Sequence, residues 1–212
     1  MSDKNFLALD LEMNTPEGNF EPGKIIQVGI AISCLHSYKH NLEVPENKVA
    51  YIERSWYVNP YEPIYPRITE LTGITNTNTQ LESTTLDVIQ EDILNLLKLY
   101  DCYPNPVVWG GGDAELLKKE LLENVGYVKI FGHREIDIKT LHTFHKISKN
   151  EKTNSSLSTA MNAHKIKFDG NPHRAVDDAR NTLSLFFTMI LKQQAINNLI
   201  SEAVKLKWKT KK

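Results

Sequence analysis

The chain of 212 residues is 41% hydrophobic and 24% charged, with only 10 glycines and 9 prolines, which excludes disordered, collagen-like and coiled-coil polymers and fits one globular domain with its own core. The net charge of -1 hides an asymmetry: the last eight residues, KLKWKTKK, hold five lysines, so the remainder carries -6 and lacks the broad basic face that holds duplex DNA. The longest apolar run, around Leu183 to Leu191, is too short to span a bilayer, MSDKNFLALDLE carries carboxylates where a signal peptide needs an apolar stretch, and Cys34 with Cys102 make neither a disulfide framework nor a CxxC zinc motif, so no membrane association and a reducing, cytoplasmic setting are expected.

Phe6 to Glu12 (FLALDLE) and Lys24 to Ile32 (KIIQVGIAI) read as strands separated by turn residues, and Val49 to Val58 as a third after a polar surface connection. Leu86, Ile89, Ile93, Leu96, Leu97 and Tyr100 recur at helical spacing behind Thr84 or Thr85 as N-cap candidates. Pro106 to Trp109 predicts a buried strand, followed by Gly110, Gly111 and Gly112 and a helix beginning near Asp113. Tyr127 to Ile138 suggests another strand, and helices follow over Lys139 to Ile147, Ser155 to His164, and Arg174 to about Asn197. This order predicts an α/β domain of mixed sheet over 1–200, with 201–212 as a lysine-rich tail.

Asp10 and Glu12 stand two apart on a strand, so both point to one face while Leu9 and Leu11 point to the other. Two like charges there are tolerable if the face is solvated, or if a hard divalent cation such as Mg²⁺ or Mn²⁺ lies between them. A second cluster lies in NPHRAVDDARNTLSLFF, where His173 precedes the last helix and Asp178 follows five positions on. At about 100° per residue, Asp178 shares a stripe with Thr182, Leu185 and Met189 and borders the buried face, whereas Asp177 shares one with Asn181, Ser184 and Thr188 and is expected in solvent. Asp113 by itself reads as an N-cap, and His173 by itself as a surface loop residue. Together, four carboxylates and a histidine are what two-metal phosphodiester hydrolysis requires. His142 and His145 have no acid or cysteine at ligand spacing and are expected to face solvent rather than bind zinc. The glycine triplet matches neither phosphate-loop fingerprint.

The runs ALDLEMN, KIIQVGIAI, YVNPYEPIYPRITELTGIT, VVWGGGDAELL and HRAVDDARNTLSLF stand in the order of the motifs of the DEDDh family of 3′→5′ exonucleases, which the chain resembles over about residues 6–190. That family includes polymerase proofreading subunits, oligoribonuclease, ribonuclease T and histone-mRNA 3′ exonucleases. The resemblance implies a ribonuclease H-like fold with a five-stranded mixed sheet flanked by helices. It implies that Asp10, Glu12, Asp113 and Asp178 hold two divalent metal ions, Mg²⁺ with Mn²⁺ able to substitute, with Asp10 bridging, and that His173 acts as general base. A base must be neutral, so activity should rise from mildly acid to mildly alkaline pH. The resemblance also implies that backbone around Leu11 and Met13 contacts the terminal nucleotide of a single-stranded DNA or RNA 3′ end and that Leu71 and Thr72 help cradle it; read plainly, Leu71 is a core residue and Gly73 a helix C-cap. Very short or signalling nucleotides, or a catalytically silent nucleic-acid-binding module, are the competing readings. Many relatives dimerise, so a homodimer is allowed. Trp208 among the tail lysines has the pattern that grips single strands, a solvated tail being the alternative. The triple glycine before Asp113 departs from relatives that carry bulkier residues there.

Overall fold

The structure is a computed structural model that describes residues 4–18, 22–43 and 51–209, with side chains to residue 205. Strands β1 (Asn5–Asn14), β2 (Lys24–Cys34) and β3 (Ile52–Tyr57) are antiparallel neighbours. They are followed by α2 (Pro66–Thr72), α3 (Asn76–Leu81) and α4 (Leu86–Leu99), after α1 (Leu35–Glu43) between β2 and β3. The α/β steps come next: β4 (Val107–Val108), α5 (Asp113–Val125), β5 (Ile136–Asp137), α6 (Ile138–Ser148), α7 (Leu157–Ala163) and α8 (Ala175–Lys209). The sheet order is β3-β2-β1-β4-β5, with β4 parallel to both β1 and β5, the expected ribonuclease H-like five-stranded mixed sheet.

The pleat of β1 sorts the core into two layers. Leu7, Leu9 and Leu11 pack with α4 and α5 through Ile89, Ile93, Leu117 and Leu121, while Ala8 faces α7 and α8 through Met161, Leu183 and Phe187. Asp10 and Glu12, in phase with Ala8, therefore lie on the face that α8 covers. The small side chains Ala8 and Ala31 let that helix come close, and Leu7, Leu9, Leu11, Leu183 and Phe187 are fully or nearly fully buried.

Several local expectations change in three dimensions. The polar connection after β2 contains α1, whose Leu35 and Tyr38 are buried against α8, the Tyr38 hydroxyl sharing a hydrogen bond with Thr188 at 2.7 Å. The predicted strand over Tyr127 to Ile138 narrows to Ile136–Asp137, because a two-residue β4 has only that much edge to pair. Val49, where the third strand was expected to start, lies outside the described residues, as does the side chain of Trp208. Helix α8 runs through residue 209 rather than ending near Asn197.

His142 is 1% exposed, not in solvent. The Lys192 ammonium, 3.2 Å from His164 Nδ1, can only donate, so His164 carries its proton on Nε2 and points it at His142 Nδ1, 3.4 Å away. The remaining His142 proton then sits on Nε2, a buried atom without a hydrogen-bond partner beside the Trp109 ring. The sequence periodicity of α6 could not reveal this, because His164 and Lys192 come from other elements.

Candidate active site at the end of strand β1

Three carboxylates meet where β1 passes beneath the start of α8: Asp10, Glu12 and Asp178 each offer an oxygen, all within 4.8 Å of one another. The register of the sheet builds this. Asp10 pairs with Gly29 and Glu12 with Gln27 across β1 and β2. A Cβ at Gly29 would lie 2.1 Å from the Ala175 carbonyl carbon and 2.2 Å from Val176 N, so only glycine lets α8 begin this close to the sheet. Gln27, itself buried, accepts the Ala175 N–H and donates to the Ser55 hydroxyl, both at 3.1 Å. Asp178 thus reaches the β1 pair because its helix is seated on β2. A register shift between Glu12 and Met13 interrupts the regular pairing beside the site before it resumes at Met13 and Ile25, as bulges near functional sites often do.

His173 precedes this helix in the left-handed region, with φ 63°. Its backbone N–H donates to Asp178 Oδ2 at 2.7 Å, and its ring is exposed. The loop before it is tied down by Asn181, which bonds both the N–H and the carbonyl of Asp169, and by Arg180, which grips Glu53 and Asp177. Asp177, expected in solvent, is instead ion-paired to Arg180, and its side chain is 14% exposed because it folds against Gly170.

Asp113 stands outside the 4.8 Å group. It is the first residue of α5, not the cap; Gly112 occupies the N-cap position with φ 99° and supplies no side chain. Asp113 is nevertheless within electrostatic reach of Asp10 and Glu12, whose protonation it favours.

Burial pushes all four carboxyls upward, reinforced for Asp10 and Glu12 by repulsion from the other acids of the group. Asp10 lies well above the ordinary range through burial, then Asp113, Asp178 and Glu12. Glu12 is pushed up to about 8 by burial, then Asp178 and Asp113; Asp113 to about 7 by burial, then Glu135 and Asp137. Asp178 rises only to about 6, because the His173 N–H and imidazole oppose its burial. Anionic oxygens held together against their own charge are a donor set for hard divalent cations, so the residues fit such ions.

The segments expected to hold a substrate are placed as follows. Leu11 is buried in the core layer under α5, so only its backbone faces the site side, while Met13 is half-buried. Leu71 is not a core residue: it is half exposed on α2. Thr72 is buried, its hydroxyl donating to the Ile68 carbonyl and accepting the Ile74 N–H, and Gly73 is the left-handed C-cap. Asn14, fully buried, joins this region to β1: its amide donates to Glu62 and the Pro63 carbonyl and accepts the Tyr65 N–H. Asn14, Gln27 and Gly29 are residues supporting this region that sequence reasoning missed. Only the pairing partners across the sheet could have indicated them.

Among known proteins, a family described as Exonuclease matches residues 7–186. No curated protein matches the chain. Similar solved structures include the nuclease domain of 3′hExo, a DEDDh family member, bound to rAMP, at 18% identity and TM-score 0.70, covering 89% of this chain and 92% of that one. Cell-death related nuclease 4 (CRN-4) is 21% identical with TM-score 0.70, over 90% of this chain and 65% of its own. E. coli exonuclease I in complex with single-stranded DNA is 12% identical with TM-score 0.62, over 94% and 43%. At these identities the solved structures speak for the fold, and the family match extends it to kinship: the chain belongs to the exonuclease family.

Proposed function

We propose that the protein is a metal-dependent 3′→5′ exonuclease that hydrolyses single-stranded DNA or RNA from the 3′ end to nucleoside 5′-monophosphates. The observation that carries this reading is the convergence of Asp10, Glu12 and Asp178 within 4.8 Å in a chain of the exonuclease family. That a similar nuclease domain binds rAMP, and that a similar exonuclease binds single-stranded DNA, supports the product and the substrate class.

Asp10, Glu12 and Asp178 would hold the divalent ions, with Asp113 completing the set from the start of α5. When bound, two such ions polarise the scissile phosphate and offset the charge that builds on the attacking and leaving oxygens. The protein's own part is positional. Strand β1 holds two carboxylates rigidly on one face, Gln27 and Gly29 set the depth of Asp178, and the Asp178 carboxylate fixes the backbone of the His173 loop. His173, exposed at the mouth of the site, takes a proton from the attacking water. The Leu11–Met13 backbone and Leu71 offer the terminal nucleotide a surface, while Thr72 shapes the turn that presents Leu71.

The test is hydrolysis of 3′- and 5′-end-labelled single-stranded DNA and RNA with Mg²⁺, Mn²⁺ or EDTA, beside Asp10→Ala. A ladder that shortens from the 3′ end, needs the metal and vanishes in the variant is the expected result. Cleavage that persists in EDTA or in Asp10→Ala would overturn the reading, and so would inert polymer under every metal condition.

A further inference from the structure

The glycine triplet before Asp113 leaves a structural problem. Gly110, Gly111 and Gly112 all have positive φ, at 103°, 71° and 99°, a path that costs other residues strain and gives glycine no conformational preference. Helix α5 has no capping side chain of its own, so the peptide N–H groups of its first turn need acceptors from elsewhere. A side chain carried on such a loop is not placed by its own segment.

The acceptors come from the β5 edge. Glu135 Oε2 accepts the Gly112 N–H at 2.8 Å and Oε1 accepts the Ala114 N–H at 2.7 Å, so one carboxylate holds the backbone N–H groups of the residues on either side of Asp113. Asp137 Oδ1 accepts the Gly110 N–H at 2.9 Å while capping α6 through Lys139 N. The glycine turn and the start of α5 are thus fastened at three amides by two carboxylates, one just before β5 and one within it. A carboxylate at a helix N-terminus is also favoured by the helix dipole.

We propose that Glu135 is a positioning residue for Asp113: its carboxylate, one oxygen to the N–H of each neighbouring residue, Gly112 and Ala114, fixes where the Asp113 side chain stands relative to Asp10, Glu12 and Asp178. This rests on the reading of those four carboxylates as metal ligands. The bland alternative is that Glu135 caps α5 for stability alone, and metal binding separates the two because it reads the location of Asp113 without any nucleic acid.

The experiment is a double-mutant cycle on the full chain, with Mn²⁺ affinity measured by titration calorimetry for wild type, Asp113→Ala, Glu135→Ala and the double variant. Loss of a residue that supports a ligand typically weakens metal binding about 10- to 100-fold, and that is the loss expected for Glu135→Ala. In the Asp113→Ala background the same change should have little further effect, because it acts through Asp113. Glu135→Gln keeps one acceptor oxygen and should show a smaller loss; it carries the cycle if Glu135→Ala does not fold. For an oligonucleotide, kcat should fall in step with metal affinity while KM stays within about twofold. Wild-type Mn²⁺ affinity in Glu135→Ala, or an equal loss with and without Asp113, overturns the proposal. If Asp113→Ala itself binds Mn²⁺ normally, the failure belongs to the assignment of Asp113 as a ligand.

Discussion

The side-chain carbonyl of Gln27 accepts the backbone N–H of Ala175 at 3.1 Å, so a residue in the middle of β2 caps the helix that carries Asp178. Both groups are buried, and the Gln27 amide is anchored in turn by Ser55. Gln27→Leu should leave the Ala175 N–H without an acceptor and lower stability by about 1 to 3 kcal/mol. Urea denaturation measures this. A midpoint unchanged from wild type would show that water replaces the glutamine and that the seat of α8 does not depend on it.

The four acidic groups make the metal-free protein sensitive to pH. Their folded pKa values, about 8, 7 and 6 for Glu12, Asp113 and Asp178 and higher than ordinary for Asp10, lie above ordinary values near 4. The folded state therefore holds protons that the unfolded state has released, so their stabilising contribution is present below about pH 4 and is lost as pH rises toward 8. In EDTA, Asp10→Asn should gain thermal stability relative to wild type, more at pH 8 than at pH 5. Adding Mg²⁺ or Mn²⁺ should raise the wild-type melting temperature more at pH 8 than at pH 5. An Asp10→Asn difference that is the same at both pH values would mean the cluster is not strained by its charge.

The histidines give the opposite slope. Burial lowers His142, and burial with the nearby Lys192 charge lowers His164 to about 4. A base with a depressed folded pKa stabilises the fold above its ordinary value of 6.5 and loses that contribution as pH falls toward 4. His142→Phe removes one such group and the unpartnered Nε2, so its stability should fall less steeply than wild type between pH 6.5 and 4. Parallel curves in a fluorescence-monitored acid titration would exclude His142 as a contributor.

His173 stands at a left-handed loop position and bonds Asp178 through its backbone N–H, with its ring exposed. His173→Ala should therefore keep Mn²⁺ binding close to wild type while slowing hydrolysis by about 10²- to 10⁴-fold, the usual worth of a general base. Single-turnover cleavage of a labelled oligonucleotide reads the rate. A loss of only a few-fold would remove His173 from the chemistry.

Apolar runs bounded by turn residues were enough to find β1 and β2, and helical spacing of apolar residues to find α4, because each of these signals is local. The spacing of Asp10 with Glu12 and the phase of Asp178 on its helix were legible for the same reason: both follow from the geometry of one element. The sequence did not disclose that Asp177 is ion-paired, that His142 is buried, or that a two-residue β4 and β5 suffice, since each depends on a partner distant in the chain. Asp113 shows the division most clearly. Its identity and its place at the start of an amphipathic helix are sequence properties, but three glycines leave its position undetermined locally, and the Glu135 and Asp137 carboxylates that fasten this segment come alongside only through the pairing of β4 with β5. Backbone hydrogen bonds within one element follow from local pattern; those that cross between elements exist only once the sheet has set its register.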